Sequence, residues 1–307
     1  MNKRLGRNAL CLAAFVAAAA SAQDYGHGKL KLDTGREIWE SACATCHGAD
    51  GKGAVRTSVG FTARLPDFTD CSFATKEPDG DWSATIHNGG PARGFSEIMP
   101  SFREALSDDQ IDKVIDYMRG FCKEKAWPRG DLNLPRPMVT EKAFPENEVV
   151  ITTAVNAHGA PAVGNVVTVE RRIGARSQFE VAIPYNFTHR NAPWDSAFGD
   201  IALAWKQNVF HSESSILSVF GEVTAPVGRR ELGTGAGSTV FEMSAAYARI
   251  LPADSFLQFH TGVELPAHPD TVAKAYFART AIGKSWSAGG GLGRDRKSTR
   301  LNSSHVA

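Results

Sequence analysis

Net charge is almost absent from this chain. Its 34 Lys and Arg are offset by 33 Asp and Glu, leaving +1 at neutral pH. Bulk charge therefore points to no nucleic-acid partner. Long apolar runs are also missing: past the N-terminus none reaches the roughly 18 residues that a membrane-spanning helix needs, and no such helix is expected in the mature chain. There is no phosphate-binding loop, no dinucleotide motif and no Ser/His/Asp set. His158, His189, His211, His260 and His268 are scattered, with none paired at metal-ligand spacing. Each is read as a turn or interior residue. Cysteine is scarce, five in 307 residues, so the position of each one is informative.

The N-terminus has a basic start (Lys3, Arg4, Arg7), an apolar core (Ala9 to Ala20) and a small-residue cleavage site, Ala20-Ser21-Ala22. That pattern is a secretory signal peptide over residues 1–22. It implies export to the periplasm or outer membrane of a Gram-negative-type bacterium. Cys11 would leave with the peptide. Cys43 and Cys46 stand in Cys43-Ala44-Thr45-Cys46-His47, the attachment motif for one covalently bound haem c. Two intervening residues let both sulfurs reach the two vinyl groups on one edge of the porphyrin, and the adjacent His47 can ligate the iron. Cys71 and Cys122 remain, an even pair in a disulfide-permissive compartment. A disulfide between them is expected, with two buried free thiols as the alternative.

Residues 33–44 read as a helix leading into the motif, opened by a capping box of Thr34 and Glu37, with Ile38, Trp39 and Ala42 as its apolar stripe. Gly48 to Gly53 is a glycine-rich turn. Met99, fixed by the following Pro100 in extended or turn geometry, is the candidate second axial ligand. A His/Met pair raises the reduction potential. His87 is the rival for that position. Ser107 and Gln110 box the start of a last helix over 107–121, in which Ile111, Val114, Ile115 and Met118 share one face.

Gly35-x-x-Ile38-Trp39, Cys43-x-x-Cys46-His47-Gly48, Met99-Pro100-x-Phe102 and a last helix with Tyr117 together resemble a class I cytochrome c. The resemblance implies an all-α mono-haem domain, set at residues 24–126. It also implies that the first and last helices cross beside the haem with Gly35 meeting Tyr117. The Cys71/Cys122 pair is an addition to that family pattern.

Residues 127–147 hold Pro128, Pro135, Pro137 and Pro145 and read as a semi-rigid extended connector. From about residue 148 the period changes to alternation, with about eight strands of roughly ten residues up to residue 290. A soluble sandwich and an antiparallel outer-membrane barrel both fit. The strand lengths, the inward-type charges Glu180, Lys206, Glu222, Glu242 and Glu264, and the aromatics Tyr185, Phe187, Trp205 and Phe210 near strand ends favour the barrel. Residues 165–285 are similar to outer-membrane barrels described as transporters or phenol-degradation pathway proteins, on Glu170 to Gly174, Glu180 to Pro184 and Gly199-Asp200-Ile201. Residues 294–307 are polar and non-alternating and look non-native or disordered, as if the barrel were truncated near Gly293. The fold class expected is therefore a multidomain chain, an all-α cytochrome c domain followed by an all-β antiparallel barrel.

The function expected is electron carriage, not catalysis. With both axial positions filled there is no open site for a substrate. The partners are redox proteins or an external donor or acceptor, and the outer membrane. The architecture is similar to cytochrome–porin fusions. A porin or transporter whose haem domain is a redox sensor or tether is the alternative, and a haem enzyme such as a peroxidase is a third reading.

Overall fold

The computed structural model describes residues 32–135, 139–156, 158, 161–189 and 194–284. The signal-peptide segment 1–22 and the tail 294–307 lie outside the described residues.

The first part is helical. Its opening helix has three pieces: α1 (Gly35–Ile38), a π-helical turn (Trp39–Cys43) and α2 (Ala44–His47). Thr34 and Glu37 close the expected capping box. The helix runs further than the periodicity suggests, through the cysteine motif to His47. Within the π turn the Ala44 N–H reaches back to the Trp39 carbonyl. That extra residue per turn rotates Cys43 to His47 relative to Ile38 and Trp39, which are fully buried. Short α3 (Cys71–Ala74) is capped by Asp70, and α4 spans Asp79–Asn88. The last helix, α5 (Asp108–Arg119), begins on the Ser107/Gln110 box and ends at Gly120. Its face of Ile111, Val114, Ile115 and Met118 joins Ile38, Trp39, Phe68, Trp82, Ile86 and Leu106 in one buried cluster.

Arg119 ties this part together. It lies 3.8 Å over the Trp82 ring. Its guanidinium pairs with Asp79 at 2.9 Å and donates to the Glu77 carbonyl at 2.7 Å and to the Ala74 carbonyl. Among the described residues no helix is long and apolar enough to cross a membrane.

The second part is one antiparallel sheet: β1 (Glu148–Asn156), β2 (Ala162–Ile173), β3 (Ser177–Thr188), β4 (Asp195–Phe198), β5 (Ile201–His211), β6 (Ser215–Ala225), β7 (Val240–Leu251), β8 (Ser255–Pro266) and β9 (Ala275–Lys284). Each long strand pairs with its sequence neighbour, with short β4 beside the end of β3. β4 and β5 are one strand broken at Gly199-Asp200, because both pair with β3, at Tyr185↔Phe198 and Ala182↔Ala202. The sheet is curled into a half-barrel.

Its two faces are chemically inverted relative to a soluble sandwich. Ile151, Leu203, Trp205, Val223 and Met243 are exposed on the outer face, whereas Glu170, Gln178, Lys206, Asn208 and Gln258 are buried on the inner one. The register places Glu222 opposite Glu242 and Glu242 opposite Glu264 on that inner face. An apolar outside and a polar inside is the pattern of a barrel wall in lipid.

The proline-rich stretch departs from a simple connector. Apart from one 3-10 turn (Gly130–Leu132), its described residues form no regular element before β1, as its prolines dictate. Yet it is not solvated. Leu132, Leu134, Ala143 and Phe144 are buried against Ile216, Ala246, Ala248 and Phe256 of the sheet. Proline density marks the absence of regular structure but says nothing about packing.

Candidate functional site: the Cys43 to His47 turn and the Met99 loop

α2 ends the opening helix and carries the motif. Cys43 and Cys46 are both free thiols and half-buried, whereas Cys71 and Cys122 are joined in a disulfide with S–S 2.03 Å. Burial, and then the neighbouring Cys46, push the Cys43 thiol up to about 11. It is therefore protonated at neutral pH.

His47 is largely enclosed. Its ring lies 5.9 Å from Trp39 and 5.4 Å from Phe68, centroid to centroid. Burial lowers its pKa, so the ring is held neutral, the state an iron ligand requires. Its Nδ1 is buried with no hydrogen-bond partner among the described residues.

The glycine-rich turn then folds back on the helix end. Gly53 N–H donates to the His47 carbonyl and Ala54 N–H to the Cys46 carbonyl, each at 2.8 Å. Gly48 has φ +76°, a left-handed value that favours glycine, and its carbonyl accepts from Trp39 Nε1 at 3.2 Å. A Cβ on Gly51 would stand 2.8 Å from the Phe121 ring, so the turn also needs glycine for close approach.

The Met99 loop is pinned to the end of α4. Gly90 N–H donates to the Met99 carbonyl at 3.0 Å, Met99 N–H to Ser96 at 3.2 Å and Phe102 N–H to Ile86 at 3.0 Å. Ser101 Oγ donates to the His87 carbonyl at 2.7 Å. Met99 is half-buried and packs on the same core cluster as Cys43, Ala44 and Phe102. His87 has its Nδ1 2.9 Å from Asn88 Oδ1. Met118 faces the helix–helix core.

The donor set fits a haem. The Cys43 thiol and the Met99 thioether pack on one aromatic cluster, the His47 imidazole with its orphaned nitrogen faces Trp39 and Phe68 of that cluster, and the free Cys46 thiol is its neighbour in the chain. Cys43 and Cys46 would hold the porphyrin edge, with His47 and Met99 as axial ligands. A haem held there supplies a one-electron Fe(II)/Fe(III) couple.

Among the described residues the sheet offers no second centre of this kind. Among the described residues, His189 lies against Trp194 and His260 sits between Phe220 and Phe277. His211 bonds the Lys125 carbonyl. Ligand oxygens of Glu146, Glu148 and Glu170 come within 4.8 Å of one another, but Lys142 already pairs with Glu146 at 2.6 Å.

Sequence reasoning missed Phe68, which bridges Trp39, His47 and Trp82, and Arg119 over Trp82. A lone aromatic in a loop-rich stretch carries no periodic signal. The fold and this constellation define a helical cytochrome c-type domain. Residues 31–118 match the family described as cytochrome c oxidase, cbb3-type, subunit III. No curated protein and no solved structure matches the chain at a significant level.

Proposed function

We propose that the chain is a mono-haem c-type electron carrier tethered to an outer-membrane β-barrel. The observation that carries this reading is the packing of Cys43 and Met99 on one aromatic core, beside a His47 held neutral. In this reading the protein's part is to hold, not to react. Cys43 and Cys46 would hold the cofactor and His47 and Met99 would ligate its iron, with Trp39 and Phe68 packed against the His47 ring. With His47 and Met99 both as iron ligands, the bound haem would supply a one-electron couple suited to outer-sphere transfer between a donor and an acceptor protein or an external acceptor. The inverted sheet supports placement at the outer membrane: its exposed apolar face suits lipid.

Absorbance tests the ligation. The oxidised protein should show a weak band at the red edge of the spectrum, from methionine sulfur bound to ferric haem, and Met99→Ala should lose it. A parent protein that lacks the band and binds carbon monoxide readily would point instead to a haem enzyme with an open site.

The second reading, a porin or transporter with a redox-sensing haem domain, is favoured by the acidic neighbours Glu222, Glu242 and Glu264 on the inner face. It requires solute flux through the sheet's interior that is indifferent to haem loss.

A further inference from the structure

The inner face of a barrel wall is polar because it ordinarily meets water. Here it meets the chain itself. Residues 139–146 lie across that face and are bonded to strands from β3 to β8. Gln178 Oε1 on β3 accepts from the Glu146 N–H at 2.7 Å. Lys206 Nζ on β5 donates to the same Gln178 Oε1 at 3.3 Å and to the Phe144 carbonyl at 3.5 Å. Ser218 Oγ on β6 donates to the Ala143 carbonyl at 2.5 Å. Thr140 Oγ1 donates to Gln258 Oε1 on β8 at 3.1 Å.

These are not rim contacts. Gln178 and Ser218 are fully buried, Lys206 is 2% exposed and Phe144 3%. A buried lysine with no partner is costly. This one donates both to Gln178 of the sheet and to the Phe144 carbonyl of the crossing segment, and carboxylates of sheet and segment, Glu170, Glu180, Glu141 and Glu146, surround its charge, so the segment and the face are matched to each other. Leu132 and Leu134, nearer the helical part, pack in the same cluster as Phe144. Before them, Arg129 pairs with Asp79 of α4, and the Asp79 N–H donates to Asp131 Oδ1 at 3.0 Å. The stretch is thus fastened to the haem domain at one end and to the inner face at the other.

We propose that residues 139–146 are an intramolecular plug that closes the half-barrel's interior to polar solutes, held by Lys206, Gln178 and Ser218. The inference rests on the outer-membrane reading given above and sharpens it, because a plugged interior suits a tether and not an open porin. What closes the interior is the segment after the haem domain.

The test uses the full haem-loaded chain in phospholipid vesicles, with flotation to show insertion. Ala143→Cys places a thiol within the seated plug, at a position that is 2% exposed, and Val55→Cys places one at a position that is 70% exposed. A membrane-impermeant maleimide should label A143C at least about tenfold more slowly than V55C in detergent, because a buried site reacts only through local opening. The Lys206→Met/Gln178→Leu/Ser218→Ala variant should release a trapped small polar dye at least about tenfold faster than the parent. Its haem spectrum should be unchanged. Equal labelling of the two thiols overturns the plug, as does equal dye release by parent and variant. Failure to float with vesicles overturns the membrane reading, and the closure with it. A143C labelling in detergent then still shows separately whether the segment is seated. If the triple variant does not fold, Ser218→Ala alone should raise A143C labelling, and no change would count against the proposal.

Discussion

Gly35 and Tyr117 touch at the crossing of α1 and α5. A Cβ on Gly35 would stand 2.9 Å from Tyr117 Cβ and would overlap the Lys113 carbonyl oxygen. The absence of a side chain at Gly35 therefore sets how closely the two helices approach, and with it the position of Trp39 one turn later, 6.4 Å from Tyr117 by ring centroids. Gly35→Ala should destabilise the haem domain by about 1–3 kcal/mol through overpacking. Denaturant unfolding followed at the main haem absorbance band reads this. A stability unchanged from the parent would show that the helices can part freely.

The Cys71–Cys122 disulfide links the start of α3 to the chain just past α5, across 51 residues that include the Met99 loop. Cys71→Ala/Cys122→Ala should lose about 2–4 kcal/mol of stability. The folded double variant should keep its haem, because the attachment thiols are separate. Unfolding curves with and without reductant measure it, and the double variant should show no further response to reductant.

Arg119 satisfies two carbonyls, pairs with Asp79 and covers Trp82. Arg119→Met keeps much of the packing but leaves the Ala74 and Glu77 carbonyls without this donor, while Asp79 keeps Arg129. It should cost about 3 kcal/mol. Arg119→Lys should recover only part of this, because an ammonium cannot reproduce the planar fork. Thermal melts of the two variants side by side would show it; full recovery by lysine contradicts the geometric argument.

Leu203 on β5 is exposed on the apolar outer face, opposite Val181 and Val223 in its neighbours. If that face meets lipid, Leu203→Arg should weaken folding into vesicles by about 2–4 kcal/mol, the cost of a cation at mid-depth on a lipid-facing wall. The inner-face change Glu264→Gln should cost far less. A soluble sandwich would tolerate the arginine, so normal folding of Leu203→Arg would sink the membrane placement.

Much of the helical part was legible because its signals are local. Thr34 and Ser107 announce two helix starts through capping boxes, and the face from Ile111 to Met118 repeats at helical spacing. The motif from Cys43 to His47 is likewise local, and it lies within the residues that match the cytochrome family. In the sheet, alternation told inner from outer residues correctly, since a strand's side chains can only point two ways. What stayed hidden depends on distant partners. Phe144 sits between prolines with no period around it, and only the folded sheet supplies Ile216 and Phe256 for it to pack on. Likewise Lys206 reads as a generic inward charge until the Phe144 carbonyl arrives beside it. The π turn at Trp39–Cys43 has no sequence signature either, because it is set by fitting both Ile38 and Cys43 to one core.

The central claim is that the chain carries electrons through a single, doubly ligated haem at Cys43, Cys46, His47 and Met99. A redox titration of the vesicle-reconstituted protein, followed by addition of an external acceptor, tests it most directly. The account predicts one reversible one-electron transition, followed by oxidation of the reduced haem by the acceptor. A haem that does not re-oxidise when the acceptor is added, or that turns over peroxide in place of passing electrons on, would contradict it.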